Sequence, residues 1–193
     1  MSLVKLSHLL NDARPADYPV AIQSGKTINF EQFQQDVLAF HAPESPCRVA
    51  LFIEDSYEFT VGFYALLLAG CSIVFLPSID SQILLKFKNT FDCLITNLNQ
   101  EENSDNHQVK LQINAEKESL YFYTSGSTGE PKCIVKSLGM IERETAALEK
   151  TWGGNADSFV SIVYTTVPHY HFYGFIFKLM WPLASGQPFS AIT

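Results

Sequence analysis

Apolar positions follow two rhythms along the chain. The stretches 48–53, 72–76, 91–96 and 120–123 are short, nearly continuous apolar runs, the pattern of strands buried on both faces. Between them Phe30, Phe33, Val37 and Phe40 recur at helical spacing and predict a helix over 30–41, with Asn29 and Gln32 as a capping box and Pro43 and Pro46 beyond its end. Asp55 and Glu58 cap a second helix over 56–69, which Gly70 ends; its apolar stretch 63–69 leaves no polar face, so it packs on two sides. Asp80 opens a third helix running to 88. Strand, helix, strand, helix, strand predicts parallel strands with crossover helices. The fold class is therefore α/β, a mostly parallel sheet.

Weaker patterns fill the rest. Residues 3–10 suit a short amphipathic helix, and Ser24-Gly25-Lys26 a hairpin turn between 19–23 and 27–29. The polar stretch 97–108 reads as a surface loop, and the alternation at 109–113 as a half-exposed strand. After a strand at 132–136, Ser137 caps a helix with the face Leu138, Ile141, Thr145, Leu148 and Trp152, stopped by Gly153-Gly154. A strand at 158–164, a helix at 172–181 broken by Pro182, and a strand at 188–192 complete the reading. With no repeat and no low-complexity linker, residues 1–193 read as a single α/β unit.

The 193 residues are 47% hydrophobic and 17% charged, a globular balance. A formal net charge of −7 argues against nonspecific binding to nucleic acid. The longest apolar run with helical character, 61–69, is too short for a membrane span, and residues 1–11 lack the pattern of a signal peptide. Cys47, Cys71, Cys93 and Cys133 are far apart with no C-x-x-C pair, and read as reduced core thiols of a cytoplasmic protein, with zinc or disulfides as minor alternatives.

One stretch carries chemistry. The apolar run 120–123 stops at Thr124-Ser125-Gly126-Ser127-Thr128-Gly129-Glu130-Pro131-Lys132, and a second apolar run follows. Two glycines, several hydroxyls, backbone N–H groups and one ammonium suit a polyphosphate. A polar hairpin loop with a surface lysine is the plainer alternative. It is not the P-loop pattern: Pro131 stands where that pattern has its second glycine, and Cys133 where Ser or Thr would bind magnesium. Farther on, Pro168-His169-Tyr170-His171 precedes an aromatic helix. An H-x-H pair lacks nearby acidic or cysteine ligands for a metal, so no metal site is expected. Tyr164, Tyr170, Phe172, Tyr173, Phe175 and Phe177 are mostly core, with a subset available to line a pocket. The absence of G-x-S-x-G, and of an evident base for Ser125, argues against a serine hydrolase.

The run YTSGSTGEPK resembles the phosphate-gripping loop of adenylate-forming enzymes, the AMP-forming acyl-CoA synthetases and their relatives. It departs at Cys133, where that family usually has glycine. The segments RVALFIEDSYEF and LLLAGCSIVFLP resemble the family's early strand–helix–strand, and Pro168, His171 and Gly174 its Pro-x-x-His-x-x-Gly stretch. The resemblance implies the first part of the large N-terminal domain. It further implies activation of a small-molecule carboxylic acid by ATP, then acyl transfer to coenzyme A or a carrier pantetheine. Thr124, Ser125, Gly126, Ser127, Thr128, Gly129 and Lys132 would hold the phosphates, with Lys132 adding charge to the leaving pyrophosphate. His171 would face the acid pocket or thiol channel.

The family's later adenine and magnesium motif, ribose aspartate and catalytic lysine have no counterpart here, so Mg2+ ligands are expected outside this chain. The expectation is an N-terminal piece, whether an engineered truncation, a proteolytic product or a natural fragment. Alone it would bind ATP weakly without adenylating, and self-associate through an exposed sheet edge. The alternative is a non-enzymatic piece that binds a nucleotide or a partner protein.

Overall fold

The side chains of Val49, Leu51, Ile73 and Phe75 join the main core on one side of a sheet, while Ala50, Val74 and Leu76 join a second apolar cluster on the other. This alternation at period two is why runs that look uniformly apolar belong in the middle of a two-faced sheet. The computed structural model describes residues 3–43, 47–98, 111–124, 132–153 and 161–192. The predicted surface loop at 97–108 therefore lies mostly outside the described residues.

The sheet contains β3 (Arg48–Leu51), β4 (Ser72–Phe75), β5 (Cys93–Ile95), β6 (Glu118–Thr124) and β7 (Lys132–Ser137), numbered after the hairpin strands β1 (Pro19–Gln23) and β2 (Lys26–Asn29). Its order is β5-β3-β4-β6-β7. All pairs are parallel except β6–β7. β1 and β2 pair antiparallel, and β8 (Phe189–Ser190) adds to β1 in parallel. The hairpin turn puts Ser24 at φ 49° and Gly25 at φ 77°, the twist that a two-residue hairpin requires.

α1 (Phe30–Ala39) begins at Asn29, whose side chain accepts from the Gln32 N–H at 2.8 Å. Only half of the capping box forms, because the Gln32 amide donates to Asp36. α2 (Ser56–Leu68) is capped by Asp55, which accepts from the N–H groups of Tyr57 and Glu58. It is buried nearly all round. Gly62 sits against Leu51, Tyr64 meets Phe33 of α1 edge-on at 5.7 Å, and Phe63 meets Phe175 at 5.2 Å. α3 (Ser81–Phe87) covers the opposite face through Phe87. Asp80 does not cap it, because its carboxylate accepts from the Ser78 hydroxyl at 2.6 Å. α4 (Leu138–Trp152) starts at Ser137, whose hydroxyl accepts from the Met140 N–H. Leu138, Ile141 and Thr145 face inward, as its spacing predicts, Leu148 is half-buried, and Trp152, expected on the same face, is exposed at the helix end.

Further expectations are corrected. Residues 3–10 form a 3-10 helix at Leu6–Asn11, tied to α4 where Ser7 donates to Glu142. Residues 111–114 form no strand: Ile113 is buried and the Leu111 carbonyl accepts from the Asn11 side chain, so this apolar alternation packs without a ladder. At 161–164 only Val163 makes a bridge, to Phe189, while 158–160 lie outside the described residues.

Pro182 does not break the last helix. α5 (Phe172–Gly174), a π segment (Phe175–Met180) and α6 (Trp181–Ser185) run on continuously, and Gly186 ends them at φ 75°. In the π segment N–H groups bond five residues back, which opens the turn where a proline ring would otherwise strike the carbonyl four residues earlier.

Candidate nucleotide site

α2 packs on one face of the sheet and α3 on the other, and the chain reverses direction there, running from β3 to β4 and then back to β5. That is a topological switch point, and ligands of open α/β sheets bind outside the carboxyl ends of such strands. Of the phosphate-binding candidates read from the sequence, Thr124 and Lys132 are described, and they pair with each other at this edge.

β6 pairs with β4 only as far as Phe75↔Phe122 and continues through Tyr123 and Thr124. It therefore carries the chain about 7 Å past the last paired position before residue 125. β7 returns with Lys132 opposite Thr124. Seven residues, 125–131, connect these paired ends; Ser125, Gly126, Ser127, Thr128 and Gly129 lie outside the described residues. Lys132 is exposed at the point where the chain re-enters the sheet.

The 168–174 stretch comes to the same edge. The Phe172 ring meets Phe122 of β6 at 4.9 Å, edge-on, and the Lys136 ammonium of β7 lies over the Phe172 ring, 5.1 Å from its centroid. Phe172 thus ties the start of the last helix to both strands that frame the loop. Gly174 is required by space: a Cβ there would come 2.1 Å from the Pro168 carbonyl oxygen. The helix consequently lies directly on the turn that precedes it.

The two histidines separate. His169 is fully buried. Its Nε2 lies 2.8 Å from the Ile53 carbonyl and its Nδ1 2.9 Å from the Ser56 hydroxyl. A carbonyl only accepts, so Nε2 carries the proton and Nδ1 accepts from Ser56. Burial pulls the His169 pKa down to about 4, so the ring is neutral at physiological pH. His171 is exposed, with its ring 5.0 Å from Tyr170. Tyr170 in turn packs on Phe52 at 4.5 Å, beside the end of β3.

Of the aromatic group, Phe175 is core, Phe172 and Tyr170 are half-buried, and Tyr164 and Tyr173 are exposed. Phe177 is half-buried and stacks on Tyr173 at 4.3 Å. The amino end of α2 points to the same edge but is not open to an anion. Asp55 occupies it, and the Ser56 N–H donates to the Ala191 carbonyl. The bond between Ser56 and His169 escaped the sequence reading, because it spans 113 positions and nothing local to either residue announces it.

No helix among the described residues is long and apolar enough to cross a membrane, and no group of three side chains is arranged to hold a metal ion. The four cysteines are free thiols, with Cys71 buried and Cys133 exposed.

The medium-chain-fatty-acid–[acyl-carrier-protein] ligase JamA of Moorena producens (strain JHB) is 37% identical over 79 residues, 41% of this chain and 13% of that protein. The unliganded O-succinylbenzoate coenzyme A synthetase MenE of Bacillus subtilis superposes with a TM-score of 0.76 at 15% identity, over 95% of this chain and 43% of its own. ATP-bound MatB from Rhodopseudomonas palustris gives 0.76 at 15% identity, over 98% of this chain and 45% of its own. MenE in complex with ATP and magnesium ion gives 0.74 at 16% identity, over 94% and 56% respectively. These structures share the fold, and the chain spans well under two thirds of the length of each relative. A family model described as AMP-binding enzyme matches residues 77–192, more than half of the sequence, including β6, β7 and the 168–174 stretch: the chain belongs to the AMP-binding enzyme family.

Proposed function

We propose that this chain carries the pyrophosphate-gripping part of an ATP-dependent acid–thiol ligase. In the proposed reaction a carboxylate attacks the α-phosphate of ATP, pyrophosphate leaves, and coenzyme A or a carrier pantetheine takes the acyl group. The observation that carries the reading is the run TSGSTGEPK, held between the paired ends of β6 and β7 at the carboxyl edge of the sheet. Its donors fit a polyphosphate: Ser125, Ser127 and Thr128 hydroxyls, backbone N–H groups at Gly126 and Gly129, and the Lys132 ammonium, with Glu130 the one carboxylate in the run. ATP brings the activating phosphates, and Mg2+ is held by residues outside this chain.

Within that scheme Lys132 offsets negative charge that grows on the leaving pyrophosphate. Gly126 and Gly129 let the backbone approach closely. His171 and Tyr170 border the acid pocket or the path of the thiol. The names of the relatives support this reading: JamA is a fatty-acid–carrier ligase, MenE a coenzyme A synthetase, and one MenE complex contains ATP and magnesium. The piece 1–193 is a single unit in this reading, completed by residues that supply the adenine, magnesium and catalytic-lysine sites.

The test is pyrophosphate–ATP exchange by the full-length natural gene product with a panel of acids. Acid-dependent exchange is expected, reduced at least about tenfold by Lys132→Ala. Exchange without an acid requirement, or none with any acid, rejects the proposal.

A further inference from the structure

Three of the four cysteines, scattered in the sequence, meet at the amino edge of the sheet, away from the candidate nucleotide site. Cys47 immediately precedes β3 and Cys71 immediately precedes β4. Arg48 pairs with Ser72 in parallel register, and the Ser72 N–H donates to the Cys47 carbonyl at 2.8 Å. Cys47 and Cys71 are therefore side by side across adjacent strands. Cys93 pairs across from Val49, two residues further along β3. All three belong to the same face, Cys71 within the main core and Cys47 and Cys93 against it.

We propose that Cys47 and Cys71 are an oxidisable dithiol that closes to a disulfide across β3 and β4. Neighbouring strands lie about 4.8 Å apart, inside the ~4.4–6.8 Å Cα separation that a disulfide spans. A diagonal step of two residues places Cys93 about 8 Å away, so the in-register partner wins. The Cys47 thiol is pushed up to about 12 by burial, then by the Cys71 and Cys93 thiols beside it, so its thiolate is scarce near neutral pH and the exchange is slow there.

Access comes through Cys47. It lines a cavity of about 330 Å³ together with Arg48, Asp92 and Lys117. Two cations at its wall suit an anionic disulfide oxidant such as oxidised glutathione. The Cys47 thiolate attacks one glutathione sulfur and expels the first glutathione thiolate. The Cys71 thiolate then attacks the Cys47 sulfur and expels the second. Two protein S–H bonds become one S–S bond. The two electrons and two protons leave with two molecules of reduced glutathione.

The experiment uses the full chain carrying Cys133→Ser, which removes the exposed thiol. It is treated with oxidised glutathione at about pH 8.5, where more thiolate is present. Free thiols are then alkylated and the unreduced protein is digested with trypsin. Cleavage at lysine and arginine puts Cys47 in peptide 27–48, Cys71 in 49–86 and Cys93 in 89–110. The expected product is 27–48 joined to 49–86, absent from Cys47→Ser and from Cys71→Ala. Oxidised protein should melt about 5 °C higher than reduced protein, because the bond closes a loop of unfolded chain. A link from 27–48 to 89–110, a glutathione adduct that stays on Cys47, or thiols that remain free would each overturn the proposal.

Discussion

His169 donates from Nε2 to the Ile53 carbonyl at 2.8 Å, with the ring buried between strand β3's exit and the last helix. Burial lowers its pKa from 6.5 to about 4. The unfolded chain therefore binds a proton that the folded chain refuses between these values. The sign follows: this contribution is full above about pH 6.5 and is lost as pH falls toward 4, by about 3 kcal/mol in all. Urea unfolding from pH 7 to 4 should show that loss, and His169→Gln should flatten it. An identical slope in the variant would contradict the assignment.

Glycines 174 and 139 should respond differently to the same methyl group. At Gly174 the added Cβ meets the Pro168 carbonyl oxygen at 2.1 Å, and backbone must move. At Gly139 the nearest atom is a Glu116 carboxylate oxygen at 2.5 Å, at the end of a flexible exposed side chain, with the Ala115 carbonyl next at 3.1 Å. Gly174→Ala should cost about 3 kcal/mol or more. Gly139→Ala lies inside α4, where alanine is favoured by up to about 1 kcal/mol, and should fall within about 1 kcal/mol of the parent. Thermal melts of the two variants decide.

Two tyrosines of α2 make a second contrast. Tyr57 donates to the Asp36 carboxylate of α1. The Tyr64 hydroxyl is buried and has no hydrogen-bond partner among the described residues. Tyr57→Phe should destabilise by about 1–3 kcal/mol, and Tyr64→Phe should be neutral or stabilising by about 1 kcal/mol. Denaturant midpoints of the two variants check both signs.

At the proposed site, Lys132 and His171 are exposed, so their alanine variants should unfold within about 0.5 kcal/mol of the parent. In the full-length protein, Lys132→Ala should lower the exchange rate at saturating acid, and His171→Ala should raise the KM for the acid at least severalfold. A stability loss large enough to account for either effect would remove its support.

The parallel part of the sheet was legible because β3, β4 and β6 are apolar on both faces, and few structures other than a two-sided sheet hide such runs. Caps at Asn29, Asp55 and Ser137 were legible because each is a local side-chain-to-backbone bond. The misses are of another kind. Of the strand expected at 109–113, the described part 111–113 has the right alternation at Leu111 and Ile113, but a strand also needs a ladder partner, which no local pattern encodes. The candidate site was named from the TSGSTGEPK run. Its frame was not: Phe172 resting on Phe122 joins residues 50 positions apart. The meeting of Cys47 and Cys71 likewise depends on the strand register.

The π segment at Phe175–Met180 has a consequence for comparison among relatives. A π turn is an α-helix that has absorbed one residue, and removing one residue turns everything downstream by about 100°. His171 and Tyr173 before the segment and Pro182 after it hold their faces through helix length as well as residue type. A relative with an uninterrupted α-helix here would align correctly only with a one-residue gap inside the helix. Ungapped alignment would match each residue after the segment with one from a different face.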